Sequence, residues 1–236
     1  MANTITIVSL GPGDPELITL KGLKLLQEAD VIYSPSTTLK SGKISSRALD
    51  ILVSLGIEKT KVKLYDLPMS KDRSFAIQAY NRVSDLALCD YKKDLKVVIT
   101  AEGDSGFYSS SHYITDNLKK EGIEVDKIAG VPAFISAGAL AHLHIVKQEE
   151  ELHVVPGILT KEELLAKIEA NHVVVIMKAS QCESVIKEVL QDGLHAECHY
   201  FENIGFSKEF YSADPSAILE RDFPYFSLLI IKKANL

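Results

Sequence analysis

Three times in this chain a short β-branched or apolar run ends in a glycine-bearing loop and then a helix-forming stretch. Residues 4–10 stop at Gly11-Pro12-Gly13-Asp14-Pro15, residues 96–100 lead to the turn from Gly103 to Gly106, and residues 125–128 lead to Ala129-Gly130-Val131-Pro132. The first two runs, short, apolar and bounded by turn residues, are buried strands, and 125–128 is a third strand. Strands that alternate with helices build a mainly parallel sheet with helices on its faces. That arrangement puts the three loops at strand carboxyl ends, where open α/β sheets bind ligands.

The remaining pattern extends the alternation. Residues 19–29 carry Leu20, Leu23 and Leu26 at helical spacing, and residues 31–33 form a strand that Ser34-Pro35 is expected to end. Helices are predicted over 45–55, 74–88 and 109–120, with a strand over 61–67 stopped by Pro68. In the second half, strands are predicted over 152–156, 173–177, 199–202 and 227–232, and helices over 133–143, 162–168 and 184–192. The run 226–231 has the apolar character of a central or antiparallel strand. The polar stretch Lys119-Lys120-Glu121-Gly122 suggests two domains, 1–117 and 118–236.

Composition sets limits on partners. Hydrophobic residues make up 46% of the 236 residues, enough for a core, and the net charge is −6. Nucleic-acid binding through a basic face needs clustered Lys and Arg, so that class is disfavoured. No apolar run reaches the roughly 20 residues of a membrane-spanning helix, and the start lacks a basic leader. Cys89, Cys182 and Cys198 are far apart and read as reduced thiols, so the expected location is cytoplasmic. His142 and His144 lie two apart, and His195 and His199 four apart, without acidic or Cys ligands at zinc spacing, so no metal site is expected.

The loops carry the chemistry. Glycines let a backbone approach a ligand closely, and Asp can tie local amides. Each loop alone is also an ordinary turn. Together, Ser9-Leu10-Gly11-Pro12-Gly13-Asp14-Pro15-Glu16-Leu17-Ile18-Thr19-Leu20-Lys21-Gly22, then Ala29-Asp30-Val31-Ile32-Tyr33, then Glu102-Gly103-Asp104-Ser105-Gly106-Phe107-Tyr108, form a pattern that resembles the tetrapyrrole (corrin and porphyrin) methylases. The resemblance runs in order along essentially the whole chain. Three positions depart from the family pattern: Ser9 stands for a Gly, Ser105 for a Pro and Ala129 for a Pro. Tyr33-Ser34-Pro35 followed by Gly42-Lys43-Ile44-Ser45, then Leu67-Pro68-Met69-Ser70-Lys71-Asp72-Arg73, and the second loop from Gly103 through Ser109-Ser110 resemble most the members that methylate carbon 20 of precorrin-2. Uroporphyrinogen methylases carry an Asp where this chain has Ser34.

The resemblance implies two α/β domains with a cofactor cleft between them, a homodimer, and S-adenosyl-L-methionine as cofactor. It implies cofactor contacts at Pro12, Glu102, Gly103, Asp104, Phe107, Pro132, Ala133, Met177 and Ile204. The tetrapyrrole substrate, metal-free precorrin-2 or its cobalt-bearing form, carries many carboxylates. Lys71, Arg73, Lys40 and Lys43 are the candidate cations for these, and Tyr33, Tyr108 and His112 the candidates to face the rings or relay a proton. No catalytic base is identified. Other methylases of the same fold, acting on RNA or on the diphthamide precursor, and a non-catalytic cofactor-binding homologue are the competing readings.

Overall fold

The structure is a computed structural model that describes residues 4–39, 41–68, 72–170 and 172–233. It divides into two compact units, Met1–Pro132 and Ala133–Leu236.

The first unit is built on β1 (Ile5–Ser9), β2 (Val31–Thr38), β3 (Ile44–Ser45), β4 (Val62–Asp66), β5 (Val97–Ala101) and β6 (Val125–Ile128). Strands β4, β2, β5, β1 and β6 lie side by side and parallel, and only the short β3 pairs antiparallel, with β2. The α-helices of the unit, among the described residues, are α1 (Leu20–Glu28), α2 (Arg47–Ser54), α3 (Arg73–Tyr91) and α4 (Ser111–Lys120). Thr19 and Asp72 start α1 and α3 by accepting backbone N–H bonds through their side chains, as N-cap residues do. The strand pleat sorts the core. Ile5, Ile7, Tyr33, Val97 and Ile99 pack with Tyr80, Val83 and Ala87 of α3 and with Ile114 and Leu118 of α4. Val8 points to the other face, against Gly22 of α1. Central strands buried on both faces explain why they read as continuous apolar runs.

Two expectations change. The first unit continues past residue 117, to Pro132, because β6 pairs with β1 in register from Ile5↔Val125 to Val8↔Ile128. Strand β2 also runs through Ser34-Pro35 to Thr38. Beyond Tyr33 it leaves β5 while keeping its pairing with β4, so Pro35 sits where a missing N–H donor is tolerated.

The second unit carries α5 (Ala133–Leu140), β7 (Leu152–Val155), α6 (Lys161–Glu169), β8 (Val173–Met177), α7 (Glu183–Gln191), β9 (Ala196–Glu202), β10 (Phe210–Ser212), α8 (Pro215–Leu219) and β11 (Ser227–Lys233). Its sheet order is β10-β9-β11-β8-β7, and only β7 and β8 are parallel. Strand β11 is central and antiparallel to both neighbours, as its apolar sequence suggests. Leu164, Ile168, Ile186, Val189 and Leu190 of α6 and α7 cover Val174, Ile176, Tyr200, Leu229 and Ile231. Thr160 and Glu163 close a reciprocal capping box at the start of α6. Among the described residues no helix is long and apolar enough to cross a membrane.

Candidate active site

In the first sheet the chain leaves β1 for β2, beyond β5 on one side, and leaves β5 for β6, beyond β1 on the other. Neighbouring strands with outgoing connections of opposite sense open a crevice at their carboxyl ends. The loops after β1, β5 and β6 meet there. Gly11 and Gly103 exchange two backbone hydrogen bonds, of 3.1 and 2.7 Å, which fasten the first loop to the second. Asp104 fastens the second to the third: Oδ1 accepts from Gly106 N–H at 2.8 Å, and Oδ2 from Gly130 N–H at 2.7 Å. A carboxylate accepting two backbone amides forms charge-assisted bonds, stronger than neutral ones. This carboxylate therefore ties the second loop to the third.

Ser9 joins all three loops. It is fully buried, its hydroxyl donates to the Ile128 carbonyl at 2.6 Å, and it accepts from Ser105 N–H at 2.8 Å. The replacement of a glycine by Ser9 and of a proline by Ser105 is thus one coupled change, since a proline at 105 would have no N–H to offer Ser9. The contacts around the glycines differ. A Cβ on Gly130 would stand 2.5 Å from Gly103 O and 2.5 Å from Ser9 Cβ, so the backbones touch there. Gly103 has φ +67°, and a Cβ on it would meet no described atom within 4 Å. The second loop therefore turns an open, glycine-only backbone toward free space, which suits a ligand held by main-chain groups. Pro12 is buried in the first loop. Phe107 sets its ring edge-to-face on Tyr108, centroids 4.8 Å apart.

Two groups that the loop motifs did not signal also stand at this edge. Arg47, at the start of α2, places Nε 3.6 Å from Glu102 Oε2. Burial holds the Glu102 carboxyl above the usual range, opposed by the Arg47 charge. Burial likewise lowers Arg47, opposed by Glu102 and then Asp50. Tyr65, in β4, is pushed up by burial, with smaller contributions from Tyr80 and Glu102. An Arg in a separate helix has no fixed spacing to the loop it serves, so no local signal marks it.

The predicted substrate residues divide. Tyr33 is 2% exposed, and its hydroxyl donates to Asp90 Oδ2 at 2.8 Å, so it belongs to the α3-side core. Strand alternation turns the residue inward, and Asp90 satisfies its hydroxyl. Arg73 is exposed at the first turn of α3, near enough to Tyr80 to lower its pKa slightly against the dominant effect of burial. Lys43 is exposed beside β3. Tyr108 is exposed with φ +49°. His112 is exposed, its Nδ1 3.0 Å from Ser109 O and its ring 4.0 Å from Tyr113. Lys40 and Lys71 lie outside the described residues, as do Met69 and Ser70.

In the second unit Met177 ends β8, and Ile204 is buried in the turn after β9. Left-handed backbone gathers around them at Gly157, Lys178, Asn203 and Gly205. Gly157 passes so close to Met177 and Lys178 that a Cβ would stand 2.6 and 2.5 Å from their carbonyl oxygens. Ala133 opens α5. Of the histidines first considered for metal, His199 is buried, with Nδ1 3.0 Å from the Tyr211 hydroxyl.

Comparison with known proteins agrees with this architecture. A precorrin-2 C(20)-methyltransferase of Sinorhizobium sp is 27% identical over 239 residues, 95% of this chain and 93% of that protein. A uroporphyrinogen-III C-methyltransferase of Methanocaldococcus jannaschii is 28% identical over 200 residues, 81% of this chain and 76% of that protein. The fold matches the uroporphyrin-III C-methyl transferase of Thermus thermophilus, solved with S-adenyl homocysteine, at TM-score 0.66 and 18% identity over 98% of this chain and 92% of that one. Residues 4–215 match the family described as Tetrapyrrole (Corrin/Porphyrin) Methylases. This chain therefore belongs to the tetrapyrrole methylases, a family of S-adenosylmethionine-dependent C-methyltransferases.

Proposed function

We propose that this chain uses S-adenosyl-L-methionine to methylate carbon 20 of precorrin-2 or of its cobalt-bearing counterpart, in corrin synthesis. The observation that carries the reading is the opening run from Leu10 to Gly22, together with the backbone cradle that its first glycines form with Gly103 and Gly130. The full-length likeness to a C(20) enzyme supports the position of methylation. Ser34 supports it too. The hydroxyl is wholly buried, 2.8 Å from that of Thr100, where uroporphyrinogen methylases carry an Asp.

In this reading Pro12, Glu102, Gly103, Asp104, Phe107 and Pro132 hold the cofactor on the first unit, and Ala133, Met177 and Ile204 are the contacts proposed on the second. The cofactor supplies an activated sulfonium methyl whose leaving group is a neutral thioether. What the protein adds is in-line positioning, which is worth up to about 7–11 kcal/mol in the best intramolecular cases. Asp104 and Ser9 contribute by making the loops rigid before any ligand arrives. Glu102 and Arg47 bring a charged pair to the same edge, where Arg47 keeps the partly buried carboxylate from standing alone. Arg73, Lys43 and Lys71 are proposed to meet substrate carboxylates, and Tyr108 and His112 to face the rings. A cytoplasmic homodimer belongs to the same proposal.

The test is anaerobic incubation with S-adenosylmethionine and either precorrin-2 or its cobalt form, read by mass spectrometry. One added methyl at carbon 20 is expected. Methylation of uroporphyrinogen III with neither precorrin-2 form consumed would replace the proposal.

A further inference from the structure

We propose that Glu151, His153 and His172 bind one divalent first-row transition-metal ion at the amino end of the β7–β8 pair. The sequence hides this trio because His172 is distant along the chain. The strand register brings it in. Leu152 pairs with Val173 and His153 with Val174, and the Val173 N–H donates to the Glu151 carbonyl at 2.8 Å. One residue further back, Glu151 stands opposite His172. Side chains two apart on a strand share a face, so all three project to the same side.

The distances separate a metal site from a hydrogen-bonded cluster. His153 Nε2 is 3.6 Å and His172 Nδ1 3.5 Å from the same oxygen, Glu151 Oε2. Good N–H···O hydrogen bonds lie at about 2.7–3.2 Å, so both contacts are too long. Ligands bound tetrahedrally at about 2.0–2.2 Å stand roughly 3.3–3.6 Å apart, and both separations from Glu151 lie in that range. The three ligand atoms all lie within 4.8 Å of one another, and the two imidazoles stack with centroids 4.1 Å apart. Two imidazoles and one carboxylate suit zinc, nickel, cobalt(II) or copper(II), whereas calcium and magnesium favour oxygen-rich shells. Glu151 is 73% exposed at its side chain, so a fourth position opens to water.

The trio stands at the strand ends opposite Met177. Five residues of β8 at about 3.3 Å each put roughly 16 Å between them. The ion's role is therefore to pin the edge strand β7 to β8, apart from methyl transfer. This inference does not depend on the proposed substrate.

The test uses the full chain, stripped of metal, titrated with zinc alone by calorimetry, and with cobalt(II) by visible absorption. One ion per chain is expected, with a melting temperature about 5–10 °C higher at a hundredfold excess over Kd. Glu151→Gln, His153→Asn and His172→Asn should each weaken binding at least about tenfold. Glu151→Gln is the safeguard, since an exposed isosteric change leaves the metal-free fold intact, checked by an unchanged metal-free melt. Binding weaker than about 100 µM, on the millimolar-to-micromolar scale of weak association, or equal binding by wild type and Glu151→Gln, overturns the proposal. Equal binding would remove Glu151 from the ligand set.

Discussion

Gly130→Ala probes the junction of the three loops with one carbon atom. The residue has no positive φ, so alanine suits its backbone and any cost is steric. The new Cβ would stand 2.5 Å from both Gly103 O and Ser9 Cβ, about an ångström inside normal contact. Neither neighbour can retreat freely: Gly103 is held by Gly11 at 2.7 and 3.1 Å, and Ser9 by Ile128 and Ser105 at 2.6 and 2.8 Å. Overpacking of this kind costs about 1–3 kcal/mol, and separating Gly130 from Asp104 would add about 1.5–3 kcal/mol for a hydrogen bond to a charged group. Because the strain relaxes along one route or the other, we expect a net loss of about 2–4 kcal/mol, a fall in Tm of roughly 5–15 °C. Gly103→Ala is the control for the melt alone, since a methyl there enters the space proposed for the cofactor. Its Cβ meets open space, and only the left-handed backbone penalises it, by about 1–2 kcal/mol. Thermal melts with calorimetry of S-adenosylhomocysteine binding read both effects. Affinity should fall at least about tenfold in Gly130→Ala, the equivalent of about 1.4 kcal/mol. A Gly130→Ala protein that melts and binds like wild type refutes the close-contact argument, the more so if Gly103→Ala melts lower than it.

Ser9→Ala should destabilise by about 2–4 kcal/mol, since it leaves the Ile128 carbonyl and the Ser105 N–H buried without their shared partner; urea unfolding reads this, and a loss under about 0.5 kcal/mol counts against the coupling of the loops. The Lys63 ammonium, then the Tyr33 hydroxyl and Lys93, hold Asp90 down at about 2 against the cost of burial. A depressed carboxyl stabilises the fold above the ordinary aspartate range and loses that contribution as pH falls through about 2. Asp90→Asn should therefore cost about 2 kcal/mol at pH 7, with the gap to wild type closing between about pH 4 and pH 2 in denaturant titrations. A gap independent of pH would exclude this ionic account. Arg47→Met should leave Glu102 without its counter-charge. Burial already raises the Glu102 pKa, so ionisation then favours the unfolded chain, and the variant should lose stability relative to wild type as pH rises above the ordinary glutamate range. Parallel stability curves above that range would remove Arg47 from the electrostatics of the edge.

Much of this protein was legible along the chain. The apolar runs of β1, β5 and β8, the turn chemistry after the strands, and the run from Ser9 to Gly22 are local features, readable within one strand, loop and helix. They determine the α/β class, the parallel character of the first sheet and the membership of the family. What only the tertiary structure decided are pairings between distant segments. The β6–β1 ladder moved the division of the chain from residue 117 to Pro132. The strand face of Tyr33 and its bond to Asp90, 57 residues away, turned a candidate ring contact into a core residue. Ser9 finds its partners 96 and 119 residues on, and so a departure from the family motif proved to be a joint among three loops. Register alone sets His172 beside Glu151 and His153. Periodicity and turn preference act over a few residues and are written in the order of the chain, whereas hydrogen-bond partners and ligand sets depend on which strand ends lie side by side.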